Sequence, residues 1–274
     1  MMTKTMFLAG TAVALTSLAV PAFAQDVDSR RYGWFSGDWE LTVGVSGYAA
    51  PEYEGSGDLE FRAVPLIRLG RAGPEARFSS RNDNISIALL DNNAYRIGAV
   101  GKIVFGRDED DSDDLAGLGD VDWGVELGGF AEVYPLDWLR LRGEVRHGVS
   151  AHEGVVADFA ADAFADISDT VRVSAGPRLS IASADYFRTY YGVTPEQSAA
   201  SGLAVYEPDG GLRGAGFGGA VTWKATDRVT ASTFAEYARL LGPAEDSSLV
   251  QERGSPNQFT FGLSTTYRFD FTVP

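Results

Sequence analysis

Apolar and polar residues alternate along most of this chain with a period of two. From Trp39 the odd positions read Trp39, Leu41, Val43, Val45 and the even ones Glu40, Thr42, Gly44, Ser46. The same odd-numbered apolar set recurs over Leu59–Leu69, Val121–Val133, Leu139–Val145, Val155–Ala163, Val171–Ile181 and Phe259–Phe269. Opposite these sets stand Arg140, Arg142, Glu144 and Arg146, then Asp158, Asp162 and Asp166, then Arg172 and Arg178. Successive side chains of a strand point to opposite faces, so each run predicts a β-strand with one apolar and one polar face. Most runs reach the 9–11 residues that a tilted membrane-crossing strand requires. Repeated charges on one face of neighbouring strands favour a barrel with a polar lumen over a soluble sandwich.

The connections predict the topology. Pro135-Leu136-Asp137, Ser168-Asp169 and Thr226-Asp227 are tight, whereas 51–57, 107–119, 185–210 and 243–256 are long. Outer-membrane barrels have short periplasmic turns and longer outer loops. Strand one, starting from the periplasm at Trp39, puts every long connection outside if 76–90 holds two short strands, 76–81 and 84–90. The expected fold is all-β, a closed antiparallel transmembrane β-barrel of about 12 strands, with 10 as the alternative if that hairpin stays out of the membrane. Trp39, Trp138 and Trp223 fall near periplasmic strand ends, where an aromatic girdle belongs. Pro65 and Pro177 each remove a ladder hydrogen bond, so bulges or breaks are expected there.

The chain opens with Lys4, an apolar stretch from Met6 to Val20, and Pro21-Ala22-Phe23-Ala24 before Gln25. This is the pattern of a cleavable secretory signal peptide over 1–24. Thr11, Thr16, Ser17 and Pro21 interrupt it, and a membrane helix needs about 20 apolar residues. Residues 25–38 are expected as a short periplasmic segment and 39–271 as the barrel. There is no cysteine, hence no disulfide, lipid-anchored thiol or thiolate metal site. With 38 acidic against 23 basic residues the net charge is −15, which argues against nucleic acid as a partner. The expected surroundings are outer-membrane lipids and lipopolysaccharide.

Candidate chemistry is sparse. Gly214-Ala215-Gly216-Phe217-Gly218-Gly219 spells a dinucleotide fingerprint, but such a motif must open a helix, and here the glycines alternate within a strand. The two histidines, His147 and His152, lack a serine on the same face: Ser150 and His147 differ in parity, and His152 is read as a solvated turn residue. Asp108, Glu109, Asp110, Asp111, Asp113 and Asp114 crowd one loop without the glycine and glutamate of a calcium-binding loop. A solvated acidic loop is the better reading, with loose bridging of divalent cations to lipopolysaccharide phosphates as the alternative. No catalytic, cofactor-binding or metal-ligating residue is assigned. Thr194-Pro195-Glu196-Gln197 predicts a helix start inside the longest loop, and Gly202 its end. In the lumen, pairing about the turn near 150–153 predicts Arg146 with Asp158 and Arg142 with Asp162. The next hairpin sets Asp166 against Arg172.

Several stretches resemble signatures of the MipA/OmpV family. They include Tyr48-Ala49-Ala50-Pro51-Glu52-Tyr53-Glu54-Gly55-Ser56, Gly117-Leu118-Gly119-Asp120-Val121, and Tyr190-Tyr191-Gly192-Val193-Thr194-Pro195-Glu196-Gln197. Arg239-Leu240-Leu241-Gly242 and the closing Gly262-Leu263-Ser264-Thr265-Thr266-Tyr267-Arg268-Phe269 resemble others. The resemblance covers nearly the whole mature chain. It implies a non-enzymatic outer-membrane protein: a scaffold linking a murein lytic transglycosylase to a murein synthase, or a surface antigen or adhesin. A small solute pore is the competing expectation from the barrel itself.

Overall fold

The structure, a computed structural model, describes residues 15–18, 36–71, 77–92 and 94–273. The cleavage site, residues 25–35 and the start of the 76–81 segment lie outside the described residues. Among the described residues one sheet holds the strands, ordered β1-β3-β2-β12-β11-β10-β9-β8-β7-β6-β5-β4. These are β1 (Leu15–Leu18), β2 (Gly37–Pro51), β3 (Leu59–Arg71), β4 (Ile85–Asp91), β5 (Tyr95–Val104) and β6 (Gly124–Leu136). They continue as β7 (Leu139–Val149), β8 (Val155–Asp166), β9 (Val171–Ala182), β10 (Gly211–Lys224), β11 (Val229–Leu240) and β12 (Asn257–Val273). Strands β2 to β12 pair antiparallel, whereas β1 pairs parallel with β3.

Among the described residues the antiparallel wall has eleven strands, β2 to β12, rather than the 12 or 10 expected. Residues 77–84, whose beginning was expected as a strand, form no strand at all. Arg77, Ser79, Arg81 and Asp83 alternate with Phe78, Ser80, Asn82 and Asn84, so neither face is apolar. A strand there would turn arginine or asparagine toward lipid, and Arg at midplane costs about 2–4 kcal/mol. The segment folds inward instead. The ladder is also not closed as expected: among the described residues β3 and β4 do not pair with each other, and β1 pairs with β3 and lies close to β4.

Side-chain parity is as the alternation predicts. The odd-numbered Val45, Phe61, Leu127, Leu141, Val145, Phe159, Leu179, Phe217 and Leu263 are exposed on the outer face. Arg140, Arg142, Arg146, Glu126, Glu132, Glu144 and Asp162, all even, are buried inside. Exposed Trp138 and Trp223 stand at the end carrying the tight turns, and exposed Trp123 at the end carrying the long loops. Exposed apolar side chains and buried charges invert the pattern of a soluble domain, as lipid contact requires.

The prolines behave differently from each other. Opposite Pro177 the β8–β9 ladder is interrupted between Ala160–Arg178 and Ala163–Ala175, as expected. Pro65 pairs with Val45 in unbroken register, against expectation. It can do so because β3 is a terminal strand of the antiparallel ladder, where a missing N–H is tolerated.

Candidate functional site in the lumen

The inner wall of β5–β9 is a charge ladder. Arg140 donates to Asp162 through Nε (3.2 Å) and Nη2 (2.7 Å), and Arg142 donates to Glu132 (2.7 Å) and Glu144 (2.8 Å). Arg146 joins Glu126 (2.7 Å), Glu144 (2.6 Å) and Asp158. Arg178 reaches Asp162 from β9, and Arg172 clasps Asp166 at 2.7 and 2.9 Å. Two of the three expected pairs form. The third does not: Asp162 takes Arg140, because Arg140 pairs across from it while Arg142 faces Ala160. Alternation fixes the face of a strand but leaves its register open by steps of two. The even parity that located the arginines also marks Glu126, Glu132 and Glu144, which the expected ladder omitted.

Residues 77–84 cross the lumen and bind this wall. Phe78 stacks on Phe164 with ring centroids 4.7 Å apart, and the Arg140 guanidinium lies over the Phe78 ring, 4.8 Å from its centroid. Asp83 accepts two bonds from Arg140, at 2.7 and 2.8 Å, and Asn84 donates to Glu144 at 2.7 Å. On the far side Asn82 donates to Glu236 of β11, and Arg81 sits 4.3 Å over Phe234. The segment therefore bridges opposite walls. A cavity of about 1930 Å³ remains around it. On the β10 side the lumen-lining Gly214, Gly216, Gly218 and Ala220 keep the wall low. The glycine fingerprint accordingly lies within β10, with no helix following it.

A folded cap covers the loop end. The expected helix is present as α2 (Pro195–Ser201), with a Thr194–Gln197 capping box and left-handed Gly202 behind it. Two further helices, α1 (Ala184–Tyr191) and α3 (Ser248–Arg253), were not legible as strands or as caps. Tyr53, Leu115, Leu118, Val193, Leu203 and Leu249 from four loops form one buried cluster. Phe187, Tyr191, Ala244 and Val250 join Val156 and Leu240 of the wall in another. Arg253 ties the cap together through the carbonyls of Asp114 (2.7 Å) and Ser201. The Tyr186 hydroxyl donates a hydrogen bond to Glu54 at 2.7 Å and accepts one from Arg213 at 2.9 Å. Burial holds the Tyr53, Tyr186 and Tyr191 phenols well above the usual tyrosine range and pushes Tyr190 up to about 12.

Two of the loop acids are engaged with backbone. Glu109 accepts from Gly117 N and Gly119 N, both at 3.1 Å, and Asp111 accepts from Asp108 N at 2.9 Å. Their crowding raises the Asp108 carboxyl, chiefly through Asp111. Among the described residues no group of three or more His, Asp or Glu side chains is arranged to hold a metal ion. His152 is not the solvated turn residue expected. It is buried, its Nε2 lies 3.1 Å from Glu126, and its Nδ1 accepts from Gly154 N at 3.1 Å. The ring packs edge-on against Tyr186 and Tyr190, because the cap folds down over the β7–β8 turn. His147 faces outward, away from it.

A family model described as MltA-interacting protein MipA matches residues 43–269. The chain belongs to the MipA family. No curated protein is significantly similar in sequence. Among solved structures, the COG4313 outer membrane channel from Pseudomonas putida F1 is similar at a TM-score of 0.46 and 9% identity, over 89% of this chain and 100% of that one. OprG, an outer membrane protein from Pseudomonas aeruginosa, is similar at a TM-score of 0.30 and 8% identity, over 86% of this chain and 98% of that one. With its apolar outer belt, charged lumen and aromatic ends, this MipA-family chain is an outer-membrane β-barrel protein.

Proposed function

We propose that this protein is a non-enzymatic, occluded barrel that serves the envelope as a scaffold. Its loop end faces outside and its turn end the periplasm, and its partners are a murein lytic transglycosylase and a murein synthase. The observation that carries the reading is the double obstruction of the lumen: residues 77–84 bridge its walls, and four loops interlock above it. An obstructed barrel makes a poor conduit but a rigid platform. Both His152 ring nitrogens are engaged and His147 points outward, which leaves no histidine free to activate a nucleophile. The description of the matched family, an MltA-interacting protein, supports the choice of partner class. Lipopolysaccharide would surround the cap.

The test is chemical crosslinking in intact envelopes, followed by probing for murein transglycosylase and synthase. Both should co-purify with the wild-type barrel, and their absence would remove the scaffold reading. The cavity of about 1930 Å³ favours a solute pore as the second reading. Refolded protein in planar bilayers should then show a reproducible, saturable conductance. The scaffold reading expects almost none.

A further inference from the structure

Strand direction leaves one place in the wall incomplete. Neighbouring strands run antiparallel from β2 around through β12 to β4. At the two ends of this ladder stand β3 and β4, and both run toward the turn end. Among the described residues, β3 pairs on this side only with the four residues of β1, and β4 has no strand paired on this side. In hydrocarbon no water is present to bond backbone N–H and C=O groups, so an open edge is costly to leave unsatisfied. The chain's own 77–84 segment is held in the lumen and has no apolar face to offer lipid.

The seam is also where the lumen meets the outside. Leu66 and Ile67 are consecutive residues of β3 and point to opposite faces, yet both line the central cavity. So do Ile103, Val104 and Phe105, at the end of β5 and just after it. The first residue of β4, Ile85, pairs with Gly101, so Lys102–Val104 have no partner on that side. The gap accepts an extended chain: Leu15–Leu18 lies there as β1, in register with Leu66–Leu69. Those four residues belong to the segment read as a cleaved signal peptide, and on that reading their place is vacated in the mature protein.

We propose that the β3–β4 seam of the mature barrel is a docking site for an extended segment of a partner protein, which adds to β3 as a strand. This rests on the scaffold reading and deepens it: it gives a barrel with little periplasmic surface a way to hold a partner. The chemistry of the segment follows from its two sides. Exposed Ile67, Leu89 and Leu90 flank the outer face, so its outward residues are apolar. Arg62, Arg96 and Lys102 lie among the lumen-lining residues nearby, so its inward residues are small or polar. Backbone pairing supplies affinity and forbids proline at its centre.

The absence of cysteine makes the test clean. Mature protein (residues 25–274) is refolded with Ile67→Cys, or with Leu141→Cys as a control on the distant outer wall. The probe is a maleimide-tagged synthetic peptide with the sequence of residues 13–20. Labelling should be saturable at Ile67→Cys and lost with a backbone N-methylated peptide, which cannot form the ladder. A second set joins Ile67→Cys to Ile85→Cys, Ile87→Cys or Leu89→Cys in turn. The paired cysteines should resist spontaneous disulfide formation across the seam, and forced closure should abolish partner co-purification. Rapid, complete disulfide formation would mean that β3 and β4 pair directly, and would overturn the proposal. Equal labelling by the N-methylated peptide, unchanged co-purification after closure, or a dimer by light scattering would overturn it too. The scaffold reading fails separately, if wild-type envelopes yield no murein enzyme.

Discussion

Arg140 on the barrel wall and Asp83 in the crossing segment meet through two hydrogen bonds, of 2.7 and 2.8 Å, with Arg140 almost wholly buried. This pair anchors the obstruction of the lumen. Hydrogen bonds to charged groups contribute about 1.5–3 kcal/mol, and Arg140 keeps Asp162 when Asp83 is removed. Asp83→Ala should therefore lower stability by about 2 kcal/mol in urea titration of the refolded barrel. It should also raise bilayer conductance. Unchanged stability and conductance together would show that the pair does not hold the segment.

The register of β7 on β8 can be read by double-mutant cycles. Arg140→Gln and Asp162→Asn should couple, by about 0.5–3 kcal/mol, because the two side chains bond directly. Arg142→Gln and Asp162→Asn should come closer to additivity, since Arg142 bonds Glu132 and Glu144 instead. The opposite ranking would restore the alternative pairing of Arg142 with Asp162.

Orientation is accessible to single cysteines. Asp111→Cys and Ala199→Cys, both exposed in the cap, should react with an impermeant maleimide on whole cells. Asp137→Cys and Asp227→Cys, in tight turns, should react only after the outer membrane is permeabilised. The reverse pattern would invert the assignment of outside and periplasm.

The buried phenols of the cap set its behaviour in alkali. Burial raises Tyr53, with Asp114 adding to the effect, and it also raises Tyr186, Tyr190 and Tyr191 above the unfolded value near 10. A raised folded pKa means that the folded state holds its proton more tightly. The contribution is fully present below pH 10 and is lost as pH rises through 12 and beyond. Loop proteolysis and tyrosinate absorbance should increase together above pH 10, while barrel circular dichroism holds. Free titration of all tyrosines at pH 10 would show the cap open to solvent.

Some wall glycines cannot carry a side chain. A Cβ on Gly128 would stand 1.9 Å from Val145 O, a backbone atom that cannot swing away. On Gly129 the nearest atom would be 3.5 Å off. Gly128→Ala should destabilise the barrel by about 1–3 kcal/mol, the usual range for overpacking. Gly129→Ala should be far milder, and equal effects in denaturant titration would refute the packing argument.

How much was legible follows from the range of each interaction. Period-two alternation is local, and lipid on one side with water and charge on the other demands it. Val145 and Phe159 thus announced their outward face, and Arg146 and Asp158 their inward one. The capping box of Thr194 and Gln197 was equally local. The sequence by itself determined most of the strands, their faces, the long and short connections and the α2 helix. Tertiary structure decided what depends on partners distant along the chain. Whether Asp162 meets Arg140 or Arg142 depends on how one strand slides on another, to which alternation is blind. The fate of 77–84 was decided by buried carboxylates and guanidiniums awaiting it in the lumen, together with its own lack of an apolar face. His152 lost its water only because α1 folds over it from more than thirty residues away. The seam between β3 and β4 arises from the same cause. Each strand satisfies its local pattern, and only the assembled wall shows that two of them run the same way.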